Sequence, residues 1–350
     1  MKLPLPAVLA RVSSRDGDGY RGGLARASSL LPIAGAAWLA LLAYAAVVEP
    51  RRLRAVAYTL LVPDLPPSLV GLRLAHLTDF HVGMRGTPPT VLRRAVSQAL
   101  AWRPDLALLT GDFVHNGRWL AEADLFRGLP ETIPTFAVLG NHDSLGARHE
   151  TEQIVAALED SGVRVLRNRS TTVEFGDRGE VVLVGVDDPS LRRDDLAQAM
   201  DGLPTERDQT RPTILLAHAP EIADRAPERR FALIVCGHTH GGQLRLSPVQ
   251  HRTILDFGMV AGGLVSPYAR GAWLVRGNPL FVNSGLGLSG LPFRLLSPPE
   301  VALFTLAALP DGIDPAANPF ILDETPGAAA DRLESCGTVE TPLPQLGRGV

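Results

Sequence analysis

The sequence predicts an α/β fold in which sheets are covered by helices, with a membrane-length apolar segment ahead of it. Three observations carry that reading. From about residue 71 onward, short apolar runs alternate with helix-like stretches such as PPTVLRRAVSQALAW and TEQIVAALEDSG, the pattern of layered sheets and helices. Five of the apolar runs end in polar clusters, LRLAHLTDFH, LALLTGD, TFAVLGNHD, TILLAHAP and FALIVCGHTH, and α/β folds gather ligand sites at the carboxyl ends of strands. Finally, residues 30–48 carry no charge; as a helix rising ~1.5 Å per residue, that stretch matches the ~30 Å hydrocarbon core of a bilayer.

Taken in order, residues 1–29 are rich in Arg, Gly and Ser without periodicity, the signature of a flexible tail. Residues 30–48 read as a transmembrane anchor, and the small-residue pattern Ala43-Tyr44-Ala45 leaves a cleaved signal peptide as the alternative. Residues 49–70 are punctuated by prolines and read as a connecting segment with room for an edge strand. The main domain occupies residues 71–309. Residues 310–350 turn to Pro, Ala, Gly and acidic residues with no period and read as a disordered tail.

With 45% hydrophobic and 20% charged residues among 350, the chain has the composition of a globular protein with a substantial core. A net charge of -3 provides no electrostatic footprint for nucleic acid, so none is expected as a partner. The two cysteines, Cys236 and Cys336, offer no disulfide framework. Lys2, Arg11, Arg15, Arg21 and Arg26 precede the apolar segment, and Arg51, Arg52 and Arg54 follow it. That imbalance places the amino terminus inside a single-pass cell-membrane protein and the main domain outside.

The chemistry begins with VCGHTHGGQ at residues 235–243, where His238 and His240 stand one residue apart among glycines. Histidine is the commonest metal ligand, and glycine lets a backbone turn sharply or approach a bound group closely. Partners of ligand type close the other four runs: Asp79 and His81, Asp112, Asn141 with His142 and Asp143, and His218. In the order D-x-H, G-D, G-N-H-D, H, G-H-x-H, this set resembles the calcineurin-like metallophosphoesterases over nearly all of residues 71–309. GHTHGGQ, GVDDP at 185–189 and NSGLGLSGLPFRLLSPPE are similar to the membrane-associated bacterial branch of that family. Thr78, where serine is frequent, and Cys236 are mild departures from the pattern that put no ligand in doubt.

The resemblance implies a four-layer sandwich of two mixed β-sheets flanked by helices, and two divalent metal ions (Mn, Fe or Zn). Asp79, His81, Asp112 and His240 would hold one ion, and Asp112, Asn141, His218 and His238 the other, with Asp112 as the bridge. Two such ions bring four positive charges against the two carboxylates, leaving a surplus that favours a metal-activated hydroxide and a phosphate. His142, outside both ligand sets, is expected to act as general acid or transition-state stabiliser, with Asp143 orienting its ring.

Other residues carry plainer readings. His76 lies inside an apolar run and reads as a core histidine, His115 as a loop residue near substrate or solvent, and Asp187 and Asp188 as caps ahead of Pro189. Arg294 reads as a phosphate contact or a salt-bridge partner, and His149 and His251 carry no signal. The expected activity is hydrolysis of a phosphodiester or pyrophosphate in a small-molecule or lipid-linked substrate, such as UDP-2,3-diacylglucosamine. A general phosphodiesterase, a nuclease and a non-catalytic scaffold are the alternatives. The complete ligand set argues against the scaffold, and the charge argues against the nuclease.

Overall fold

The structure, a computed structural model, describes residues 32–115, 124–204, 206, 210–245, 266–310, 312 and 319–323. The tail at 1–29, His251, Cys336 and most of 310–350 lie outside the described residues. Pro32–Arg51 forms α1, the one helix among the described residues long and apolar enough to cross a membrane, with mean hydropathy 1.6. Ile33, Trp38, Leu39 and Leu42 are exposed along it.

From Ala45 onward the chain forms one compact unit, with thirteen strands among the described residues. They are β1 (Arg54–Val62), β2 (Arg73–Leu77), β3 (Leu106–Thr110), β4 (Thr135–Val138), β5 (Arg164–Val165), β6 (Arg169–Glu174), β7 (Glu180–Gly185), β8 (Thr213–Leu216), β9 (Leu233–Cys236), β10 (Gly271–Val275), β11 (Asn278–Val282), β12 (Glu300–Ala308) and β13 (Phe320–Asp323). The helices after the first are α2 (Pro89–Ala101), α3 (Asp124–Arg127), α4 (Asn141–Ser144), α5 (Arg148–Asp160) and α6 (Leu196–Ala199). One sheet runs β13-β1-β12-β2-β3-β4-β5 and the other β10-β11-β9-β8-β7-β6. Both are mixed: β2 to β5 are parallel while β12 meets β2 antiparallel, and β7, β8, β9 and β11 are parallel between antiparallel β6 and β10. The expected pair of mixed sheets is present.

Alternation along the strands explains the layering. In β3, Leu106 and Leu108 face the other sheet while Ala107 and Leu109 pack beneath α2 and α5 with Leu92, Ala95 and Ile154. In β9, Leu233 and Val235 enter the same inter-sheet core, and Ile234 and Cys236 turn to an outer layer with Ile222, Ala223 and Phe231. A strand buried on both faces must be apolar at every position, which is why these segments read as continuous runs. Phe136, Phe281 and Phe304 fill the inter-sheet core; truncating such a ring to alanine costs about 3–5 kcal/mol.

Two boundaries differ from the sequence expectation. Residues 54–62, assigned to a connecting segment, form β1, which pairs in parallel with β12 along its whole length and antiparallel with β13. Its neighbours lie on both sides, so it is not an edge strand. Residues 320–323, assigned to the tail, are β13 on the far side of it. Both corrections have one physical cause: the pairing partners lie some 250 residues apart, so no local signal announces them.

Candidate metal centre

The parallel strands of the two sheets end side by side, and each end delivers a ligand-type residue. Asp79 and His81 follow β2, Asp112 follows β3, Asn141 follows β4, His218 follows β8, and His238 and His240 follow β9. Asp79, His81, Asp112, His238 and His240 all hold positive φ, between 45° and 70°. That region is costly for residues with a side chain and persists only where the surroundings enforce it. Here the enforcement is visible. The Asp79 amide donates to the Gly111 carbonyl at 3.0 Å, the His81 amide to the Asp112 carbonyl at 2.9 Å, and the Gly237 amide to the His218 carbonyl at 2.9 Å. The His238 amide donates to Asp79 Oδ2 at 3.0 Å, tying one sheet to the other. A Cβ on Gly237 would stand 2.2 Å from Thr78 Oγ1 and 2.3 Å from Asp79 Oδ2, so that close passage requires glycine.

The side chains form two groups that share one atom. In the first, the donor atoms of Asp79, His81, Asp112 and His240, all buried, lie within 4.8 Å of one another. His81 Nε2 is 3.0 Å from His240 Nε2 and 3.3 Å from Asp112 Oδ2, and His240 Nε2 is 3.3 Å from Asp79 Oδ1. In the second, His218 Nε2 is 3.1 Å from Asn141 Oδ1 and 3.2 Å from His238 Nδ1, and His238 Nδ1 is 3.0 Å from Asn141 Oδ1. His218 Nε2 also lies 3.3 Å from Asp112 Oδ2, the oxygen that faces His81. Ring nitrogens converging on ring nitrogens around buried carboxylates are a donor set for divalent cations, and the mixture of imidazole, carboxylate and amide suits Mn, Fe or Zn. The residues fit two such ions, with Asp112 between them.

Electrostatics prepare the ligands. Burial alone would lower the His218 imidazole, but the Asp112 carboxylate, by charge and hydrogen bond, holds it well above the usual histidine range. Burial would likewise raise the Asp112 carboxyl, yet His218 and His81 keep it well below the usual carboxylate range. Burial pushes His238 down to about 4, aided by the charge of His218, and pushes His240 well below its ordinary value, aided by His81 and Arg294. His238 and His240 are thereby held as the neutral imidazole that a metal binds, whereas His218, paired with Asp112, must release a proton to a metal. The Thr110 carbonyl accepts from His218 Nδ1 at 2.7 Å, which turns Nε2 toward the cluster.

All seven expected ligands therefore come together, with His142 beside them. Its amide donates to Asp112 Oδ1 at 2.9 Å, and its ring meets His81 edge-on at 4.8 Å and stacks on His115 at 5.2 Å. Burial pushes the His142 imidazole down to about 4, so at neutral pH the ring is uncharged and offers an N–H.

Asp143 is a correction. Its Oδ1 accepts from the amides of Phe113 and Val114, and its Oδ2 from the amide of Gly140. The carboxylate braces the Gly140–Asn141 turn against the Asp112 loop and does not orient the His142 ring. The reason lies in α4, where Asp143 sits at the third position of a helical turn and reaches back to the residue before it, a capping geometry.

The remaining residues sort plainly. His76 is a core histidine whose Nε2 meets Thr110 Oγ1 at 2.8 Å. Asp188 caps Ser190 and Leu191, whereas Asp187 pairs with Arg167. Thr78 keeps the hydroxyl function of a serine, donating to Asp79 Oδ2 and the Thr110 carbonyl. Arg294 is neither of the expected things: it is fully buried and donates to backbone carbonyls. Sequence reasoning also missed the supporting roles of Thr110 and Gln243. The Gln243 amide holds the carbonyls of Ser289 and Leu291, and its place directly after the glycine pair was the available signal.

Fold and site together define a two-sheet α/β sandwich with a buried cluster of His and Asp side chains at its strand ends that could hold metal ions. Residues 72–242 match the family model described as calcineurin-like phosphoesterase. Those residues form a calcineurin-like metallophosphoesterase domain. Over 263 residues, the chain is 32% identical to a transmembrane protein with metallophosphoesterase domain from Danio rerio, covering 70% of this chain and 55% of that protein. It is 27% identical over 267 residues to the metallophosphoesterase YkuE of Bacillus subtilis (strain 168), covering 75% and 88% of the two chains. Phosphodiesterase YaeI of Escherichia coli (strain K12) is 32% identical over 177 residues, 50% of this chain and 62% of that one. The chain thus spans little more than half of the Danio rerio protein and under two thirds of YaeI.

Proposed function

We propose that this protein is a membrane-anchored, dinuclear metal-dependent phosphoesterase that hydrolyses a phosphodiester or pyrophosphate bond. The observation that carries the reading is the shared Asp112 Oδ2, 3.3 Å from a nitrogen of each ligand group. When bound there, two divalent ions would lower the pKa of a water toward neutrality and neutralise phosphoryl oxygens. Asp112 would supply negative charge to both ligand groups, and the His142 amide, donating to its second oxygen, fixes its orientation. His142, uncharged near pH 7, donates a hydrogen bond to the oxygen on which charge develops, the stabilising half of its expected role.

The finer reading is a substrate whose phosphate is linked to acyl chains, with UDP-2,3-diacylglucosamine as the specific form. Its support is the apolar α1 and the exposed Gly290, Leu291 and Pro292 at the tip of the segment after β11. Within that segment Leu286 and Leu288 are core residues, so acyl contact would be confined to the tip. A general phosphodiesterase is the second reading, favoured by the name of the relative YaeI. The balance of basic residues around α1 favours an extracytoplasmic domain, which protease added to intact cells would remove. The deciding experiment supplies purified protein with Mn, Fe or Zn and compares kcat/KM for acylated and non-acylated forms of one diester or pyrophosphate. A higher value for the acylated form supports the lipid reading, whereas equal values leave the general one. Absence of metal-dependent hydrolysis of any phosphate ester would overturn both.

A further inference from the structure

Behind His240, on the side away from His81, a guanidinium is sealed into the protein. Arg294 is 0% exposed, and no carboxylate among the described residues forms an ion pair with it. All five of its N–H groups have backbone acceptors instead. Nε donates to the Gly287 carbonyl at 3.2 Å. Nη1 donates to the carbonyls of Ser284 and Ser297, both at 2.9 Å. Nη2 donates to Gly285 at 3.1 Å and Gly287 at 2.5 Å, and lies 3.3 Å from His240 Nδ1. Burying a cation without a directly paired carboxylate is expensive, and here the carbonyl acceptors offset that cost while joining the segments that carry them.

Those segments are the supports of one ligand group. The stretch from Ser284 to Gly287 runs against the β2 turn: the Leu286 amide donates to the Thr78 carbonyl at 3.1 Å and the Gly287 amide to the Asp79 carbonyl at 2.6 Å. Gly285, at φ +68°, comes so close that a Cβ would stand 2.6 Å from the Asp79 Cβ. Ser297, held by Nη1, donates its hydroxyl to the His240 carbonyl at 2.8 Å. None of the ligands particular to the other group, Asn141, His218 and His238, is hydrogen-bonded to the guanidinium.

We propose that Arg294 is a positioning residue for one of the two metal sites, the one formed by Asp79, His81, Asp112 and His240. Its rigid fork holds the backbone of His240, through Ser297, and the backbone under Asp79, through Gly285 and Gly287, in a single frame. The proposal rests on the dinuclear reading above. Lysine keeps the charge but has only three donors with no planar fork, so Arg294→Lys separates positioning from charge.

The test uses the full-length chain in detergent, stripped of metal and reconstituted with Mn²⁺, with bound metal counted after desalting and affinity measured by chelator competition. The wild type is expected to hold two ions. Arg294→Lys and Arg294→Met should each keep one, with affinity at the other site reduced about 10- to 100-fold, the usual effect of removing an outer support of a ligand. Ser297→Ala, which buries no new charge, should weaken the same site several-fold and serves where the Arg294 variants do not fold. Two ions at wild-type affinity in Arg294→Lys would overturn the proposal. So would loss of both ions together, or unchanged affinity in Ser297→Ala. A wild type that binds no Mn²⁺, Fe²⁺ or Zn²⁺ would instead overturn the dinuclear reading itself.

Discussion

The amide of Arg294 donates to the carbonyl of Ala45 at 2.9 Å. The residue packed against His240 is thus hydrogen-bonded to the last turns of α1, and Glu49 nearby is almost wholly buried. Burial pushes the Arg294 guanidinium down to about 10, and the charges of Asp79, Glu49 and Glu300 oppose that shift.

A soluble fragment cut close to the first strand would lose both Ala45 and Glu49. A fragment starting at Leu53 should melt several degrees below one starting at Tyr44, since each lost kcal/mol lowers Tm by about 2–4 °C in a domain of this size. Thermal unfolding of the two metal-free fragments makes the comparison. Equal melting temperatures would show that residues 44–52 contribute nothing to the fold.

Asp112→Asn removes the charge between the two ligand groups while keeping the shape of the side chain. Metal content should fall at both sites, and hydrolysis should be lost with it, because Asp112 Oδ2 faces both His81 and His218. Elemental analysis of the purified variant beside its turnover number checks this. Full occupancy with unchanged turnover would sink the shared-ligand assignment.

His142 and Asp143 are neighbours in sequence with separable roles. His142→Ala should retain both metals while kcat falls by roughly 10²–10⁴, whereas a loss of metal would make His142 a ligand. Asp143→Asn replaces an acceptor that faces three amides, and an unsatisfied buried group costs about 1–3 kcal/mol. Its effect should therefore appear as a lower melting temperature of the metal-free protein. Unchanged stability with a fallen kcat would restore the ring-orienting role.

What the sequence made legible follows from how locally each feature is encoded. The ligands were readable because Asp79, Asp112 and His218 fall one or two residues beyond doubly buried strands, where an apolar run stops at once in a polar cluster. The anchor-length helix was readable from composition alone. By contrast, β1 is flanked by arginines and prolines and finds its partners at residues 300–308 and 320–323, so only the folded chain reveals it. Asp143 misled because adjacency to His142 says nothing about side-chain direction in a helical turn. Arg294 was opaque for a different reason: its acceptors are main-chain carbonyls, which leave no trace in residue identity.

His76 offers a pH test of the core that is independent of the metals. It is fully buried with Nδ1 unpartnered, and burial pushes its pKa down from the model-compound value of 6.5 to about 3. Between those values the unfolded chain binds a proton at this position and the folded one does not, so stability rises with pH. The contribution is complete above about pH 6.5 and is lost as pH falls toward 3. From pH 7 to 4.5 the loss should reach about 2–3 kcal/mol, at 1.36 kcal/mol per pH unit below the unfolded pKa. Replacing His76 with glutamine keeps a partner for Thr110 Oγ1 and removes the titration. Urea unfolding of metal-stripped wild type and His76→Gln across that range should give a shallower slope for the variant. Parallel curves would mean that His76 carries its proton in the folded core or that water reaches it there.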